Sequence, residues 1–295
     1  MILLLLLFLR AGLAFDLPRD GCNSDLRINN DHYNASNTYF VGDAFPTDAH
    51  YDVYGNLFYV ESGRNDEGFF FNVHVIRFET SAPQKVKGLP ESLSYSIAVD
   101  KKNTKVFFGT AKGIYTYDYE SHTASPLSTV YFKLSMIFVD KDGKRYITES
   151  NNGVDELYRL DGEKKVHYKN LDALNGMTID DKNNLYFIKN DKLCILKADT
   201  KEPNCMGNIS YNGIAQISFH EDKVFIASEN LTYIHINDVI LKLVTNTPGK
   251  VTAIAFDKTG DFILGVHGKL IKYKKNYCYT NNENNADQTL LQNNL

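Results

Sequence analysis

Residues 139–148 read VDKDGKRYIT and residues 179–188 read IDDKNNLYFI. In each, an apolar strand ends in an aspartate, a polar turn follows, and an aromatic or β-branched strand begins about five residues later. Asp, Asn and Gly tolerate the left-handed backbone of such turns and cap their free N–H groups, whereas Tyr, Ile and Phe favour a pleated, half-buried surface. The same pattern recurs in YDVYGNLFYV (51–60), VDKKNTKVFFG (99–109), FHEDKVFIA (219–227) and FDKTGDFILG (256–265). Asp52, Asp100, Asp140, Asp180, His220 and Asp257 anchor the six units, and successive anchors lie 48, 40, 40, 40 and 37 residues apart. That period matches a four-stranded propeller blade. The expectation is an all-β, six-bladed β-propeller over residues 15–278, with no helix of consequence and a longer first blade carrying an extended hairpin, GRNDEGFFFNVH (63–74).

The chain has 295 residues, 43% of them hydrophobic, with 19 Tyr and 18 Phe against no Trp. It can bury a large core and is not a disordered composition. A net charge of -4 without a Lys/Arg cluster excludes an electrostatic footprint for nucleic acid or a membrane surface. Met1 to Leu9 form an apolar block too short to span a bilayer, followed by Arg10 and small residues that suit cleavage after Ala14. Residues 1–14 therefore read as a signal peptide, and a secreted monomer is expected.

Four cysteines suit an oxidising compartment and formally allow three pairings. Cys22 and Cys278 bracket the repeats, so a bridge between them would lock the closure of the ring, while Cys194 and Cys205 would staple neighbouring strands of the fourth blade. Sequons at Asn34, Asn208 and Asn230 are glycosylation candidates. Residues 279–295, polar and Asn-rich without periodicity, read as a disordered tail.

One and three places before each anchor stand apolar or aromatic residues, Met177 and Ile179 for example, which place one side of each inner strand against a neighbouring blade. Five places before the anchors, at the entrance end of the inner strands, stand Thr47, Tyr95, Ser135, Asn175, Ala215 and Thr252. This ring has no carboxylate; Asp48, Asn212 and Gln216 are polar neighbours. A neutral, hydrogen-bonding mouth above apolar walls suits an uncharged or zwitterionic flat ligand. The ligand-binding candidates are Tyr95, Ser135, Asn175, Met177, Asn212, Gln216 and Thr252, with no cofactor and no metal ligand set.

Asn175-Gly176-Met177 is similar to one strand motif of the gluconolactonase and paraoxonase propellers, which hold a divalent ion with carboxylate and Asn oxygens. Equivalent carboxylates are missing here, Asp48 apart. Asp140 to Lys144 opens like an EF-hand loop, but Lys144 occupies a position that needs an oxygen ligand. No zinc, nucleophile-elbow or phosphate-loop motif occurs. No catalytic residue is assigned.

GIYTYDYESHTA (113–124), NNLYFIKNDKLCIL (183–196), NGIAQISFHEDKVFIAS (212–228) and GKLIKYKKNYC (268–278), together with a leader and an early cysteine, resemble the insect ommochrome-binding proteins over nearly the whole span from Cys22 to Cys278. The resemblance implies a secreted lepidopteran haemolymph and epidermal protein that binds ommochromes, tryptophan-derived phenoxazone pigments, without transforming them. The alternatives are a calcium-dependent lactonase or esterase of the gluconolactonase-like group and a propeller that binds only proteins.

Overall fold

The computed structural model describes residues 23–80, 82–127, 134–151, 154–172, 175–209 and 216–278. The leader, Cys22, Asn212, Ala215 and the tail 279–295 lie outside them. The described chain is all strand and turn, arranged in six antiparallel sheets, five of four strands and one of five. Each sheet begins with one of the strands that end at the anchors: Phe45–Tyr51, Ser94–Asp100, Leu134–Val139, Asn175–Ile179, Gln216–His220 and Val251–Phe256. These six inner strands touch in cyclic order, the last meeting the first. The chain therefore surrounds an axis.

The anchors act as turn caps. Asp52, Asp100, Asp140 and Asp180 are almost fully buried. Asp140 Oδ1 accepts the N–H groups of Asp142 and Lys144, both at 2.9 Å, and the Tyr146 hydroxyl donates to Oδ2 at 3.1 Å. Asp180 repeats this with Lys182, Asn184 and Tyr186. Burial, reinforced by the anchor carboxylates, pushes the Tyr146 and Tyr186 hydroxyls above the ordinary tyrosine range. A buried carboxylate is tolerable only when so well provided with donors, and that requirement explains the period visible in the sequence. His220, the exception, instead lies flat on Phe256 with ring centroids 4.1 Å apart.

The last sheet joins the two ends of the chain. Asp31–Phe40 pairs with Lys269–Lys275, and Leu26–Ile28 adds an outermost strand. Between neighbouring sheets the packing is close enough to require glycine without any special backbone angle. A Cβ on Gly265 would lie 2.8 Å from Ala253 Cβ and 2.9 Å from the Pro46 carbonyl oxygen. Gly265→Ala is accordingly expected to cost about 2 kcal/mol, because two inner strands must part to admit one methyl group. A melting curve lowered by roughly 5 °C would register it; an unchanged curve would show that those strands yield freely.

Cys194 and Cys205 face each other across Lys192–Leu196 and Asn204–Asn208 and are joined, as the sequence led us to expect. Cys278 is not free. Of the sequons, Asn208 and Asn230 are exposed, whereas Asn34 is half-buried and accepts a 3.0 Å hydrogen bond from Asn276 Nδ2.

Candidate functional site

The inner strands are not regular. Their pairing with the second strand of each sheet slips between Thr47 and His50, Ser94 and Ser96, Leu134 and Met136, Asn175 and Met177, and Val251 and Ala253. Tyr95, Ser135 and Thr252, three of the entrance-end residues, are thus the unpaired residues of β-bulges, which re-aim side chains. The bulges frustrate a simple in-and-out alternation.

At this entrance end a cavity of about 590 Å³ opens over the axis. Tyr95, Met177, Gln216 and Thr252 line it, as do Thr47 and Asp48. Ser135 does not; its hydroxyl donates instead to Asp155 Oδ1 at 3.2 Å. Asn175 lies in its inner strand, but its side chain is outside the described set, as is the whole of Asn212.

Four of the lining residues, Gln216, Thr252, Asp48 and Ser96, act mainly on their neighbours. Gln216, buried, accepts the amides of Ala49 at 3.1 Å and Ile254 at 3.0 Å through Oε1, and its Nε2 donates to the Ala49 carbonyl at 2.8 Å. It lashes three inner strands together. The Thr252 hydroxyl donates to Pro46 O at 2.6 Å. Asp48, at φ 44°, accepts the Ile97 amide through Oδ2, while Oδ1 meets His50 Nε2 at 2.9 Å. Ser96 Oγ accepts the Ile137 amide at 2.9 Å. Side chains four places before the anchor thus repeatedly accept an amide of the next inner strand, a structural use that sequence reading missed.

The walls were only partly foreseen. Phe45, Met136 and Phe138 come from the inner strands. Arg64, Phe69 and Phe71 come from the first sheet, whose strands Leu57–Asn65 and Gly68–Ile76 form the extended hairpin and overhang the cavity. Phe71 meets Tyr95 edge to face, centroids 5.1 Å apart, and Arg64 lies 5.6 Å over the ring of Phe69. The only sequence signal was the first interval, 48 residues where later ones are 40 or less. The extension was legible; its position over the axis was not.

Among the described residues, oxygen donors for a divalent ion are poorly provided. Asp48 is the one carboxylate lining this cavity among the described residues, and both its oxygens are engaged. The Gln216 carbonyl oxygen already accepts two amides. No group of three or more His, Cys, Asp and Glu side chains able to hold a metal occurs among the described residues. The described donors fall short of the six to eight oxygens that a hard cation requires, while the Asn175 side chain and Asn212 lie outside the described residues.

Cyclic sheets around an axis define a β-propeller, here with an aromatic-lined cavity at one end. Solved structures agree on the fold. A gluconolactonase from Xanthomonas campestris superposes with a TM-score of 0.66 at 16% identity, over 88% of this chain and 97% of that one. Streptogramin B lyase gives 0.53 at 15%, over 83% and 98%, and a chain of the nidogen/laminin complex 0.57 at 12%, over 72% and 85%. At such identities the likeness establishes the fold alone. No family model and no curated protein matches the chain.

Proposed function

We propose that this chain is a six-bladed propeller that holds a planar aromatic small molecule in the entrance-end cavity and does not transform it. An ommochrome-type pigment is the ligand we put forward, on the strength of the sequence resemblance, in a secreted monomer closed by a Cys22–Cys278 bridge. The observation that carries the reading is the wall itself: Phe45, Phe69, Phe71, Tyr95 and Phe138 surround the cavity, and Arg64 stands at its rim. Such rings favour offset or edge-to-face contact with a flat guest, each contributing roughly 0.5–1.5 kcal/mol beyond burial. The guanidinium offers donors to a guest carbonyl or carboxylate. Among the described lining residues, Asp48, Ser96, Gln216 and Thr252 are already engaged with neighbouring strands, which supports a binding role over chemistry.

Titrating the protein with xanthommatin and following the absorbance tests this. A saturable one-to-one spectral change, indifferent to a calcium chelator, is the expected result. Phe71→Ala and Tyr95→Ala should each weaken binding about tenfold, the loss of one ring's contact and buried area. A titration without spectral change at high micromolar pigment would sink the ommochrome assignment.

The second reading, a calcium-dependent lactonase, is favoured by the gluconolactonase neighbour. It requires that gluconolactone be hydrolysed faster with calcium than with chelator. The crowded oxygens of Asp48 and Gln216 weigh against it.

A further inference from the structure

The channel has a second chamber. At the anchor end, opposite the cavity already described, a space of about 520 Å³ opens. Asp48, Phe138, Met177 and Ile217 line both chambers and form the waist between them. Aromatic rings wall this side as well: Tyr51, Phe219 and Phe256, with His220 stacked on the last at an interplanar angle of 3°.

The charges at its rim come from the residue that follows each anchor. Around the ring these are Val53, Lys101, Lys141, Asp181, Glu221 and Lys258, of which Lys101, Lys141 and Asp181 line the chamber. Neither Lys101 nor Lys141 has a hydrogen-bond or ion-pair partner among the described residues. Lys102, also on the lining, reaches the Asp142 carbonyl at 3.4 Å. Lys101 follows the second inner strand and His220 ends the fifth, so the two start on opposite sides of the axis. Burial holds the His220 imidazole below the ordinary histidine range, Glu221 opposes that shift, and the Lys101 ammonium adds to it.

Carboxylates line the chamber too, but most are already satisfied. Asp140 and Asp180 accept the turn amides and tyrosine hydroxyls described above, and Asp48 holds Ile97 and His50. Asp181 is the exposed one. Among the described residues, the charged side chains of the lining left without a hydrogen-bond or ion-pair partner are Lys101, Lys141 and Asp181, two cations against one anion.

We propose that the anchor-end chamber is a second binding site, for a planar aromatic molecule bearing a carboxylate, with the ring among Tyr51, Phe219 and Phe256 and the carboxylate on Lys101 and Lys141. It is independent of the pigment assignment, since it shares only the waist with the other cavity.

Fluorescence titration of the full chain with 2-naphthoate, 2-naphthamide and 2-naphthylmethylammonium tests the site. Saturable binding of the carboxylate, tighter than that of amide or ammonium, is expected. In the Lys101→Gln/Lys141→Gln protein that binding should fall about tenfold or more, the loss of a charge-assisted hydrogen bond, with the amide unaffected and the melting temperature unchanged. Phe69→Ala, which alters only the entrance-end cavity, should leave it intact. Equal affinity for carboxylate and amide, preference for the ammonium, or loss on Phe69→Ala with retention in the lysine variant would each overturn the proposal.

Discussion

Replacing Gln216 with Leu is expected to lower the melting temperature by roughly 10 °C. Leucine is apolar, of comparable bulk, and the site is buried, so the main cost is the loss of hydrogen bonds. The Ala49 and Ile254 amides and the Ala49 carbonyl each lose their partner in a place water does not reach. At about 1–3 kcal/mol for each polar group stranded in this way, the total is about 3–5 kcal/mol, which for a chain of this size corresponds to the stated shift. Gln216→Glu separates the contributions. A carboxylate keeps both amide bonds but faces the Ala49 carbonyl with no proton to give, so its folded pKa rises. A group with a raised folded pKa contributes stability at pH values below its unfolded pKa and loses it as pH rises through the folded value. The Glu variant should therefore approach the wild type near pH 4 and fall behind at pH 7. Equal melting temperatures for the Leu variant and the wild type would mean that the amide is not the lashing of the ring.

The second large effect is expected from the disulfide of the fourth sheet. Cys194 is buried in Lys192–Leu196, but the strand opposite, Asn204–Asn208, is mostly exposed and contributes little apolar surface. Its hold comes from ladder bonds, the bridge, and a close approach in which a Cβ on Gly207 would lie 2.5 Å from Leu241 Cδ1. Closing a loop across 11 positions is worth about 3 kcal/mol in the chain-entropy model. Replacing both cysteines with alanine should cost that much and, in hydrogen exchange, release the amides of 204–208 well before those of Lys192–Leu196. Uniform exchange across the whole sheet would show instead that it opens as one unit.

Much of this fold was legible because a buried aspartate needs donors and therefore fixes its turn: Asp140 and Asp180 carry the signal in their neighbours Gly143, Asn184, Tyr146 and Tyr186. The apolar positions three places before the anchors were legible for the same kind of reason, since Ile97, Ile137, Ile217 and Ile254 are all buried, whereas those one place before, such as Val99, Ile179 and Phe219, are half-buried and face the anchor-end chamber. The site was less legible. A bulge at Tyr95 or Thr252 depends on how the next strand pairs, which composition does not encode. Gln216 meets a partner 167 residues away, and no local pattern announces that. Phe69 and Phe71 look like ordinary strand residues until the hairpin is seen to lean over the axis. Ser135 shows the converse, a residue in the right register whose hydroxyl was taken by Asp155.

The joined last sheet also dictates a schedule. Asp31–Phe40 is synthesised long before its partner Lys269–Lys275, and Ser36 meets the Lys272 carbonyl across 236 residues. Until then the N-terminal strand is a bare edge, open to any neighbouring chain with an unpaired strand of its own. Its central residues, Ala35 to Thr38, are exposed and uncharged, so nothing in them repels such a visitor. Two nascent chains that exchanged this strand would each complete the other's circle, and the ten residues from Asp31 to Phe40 would then be the contact between them.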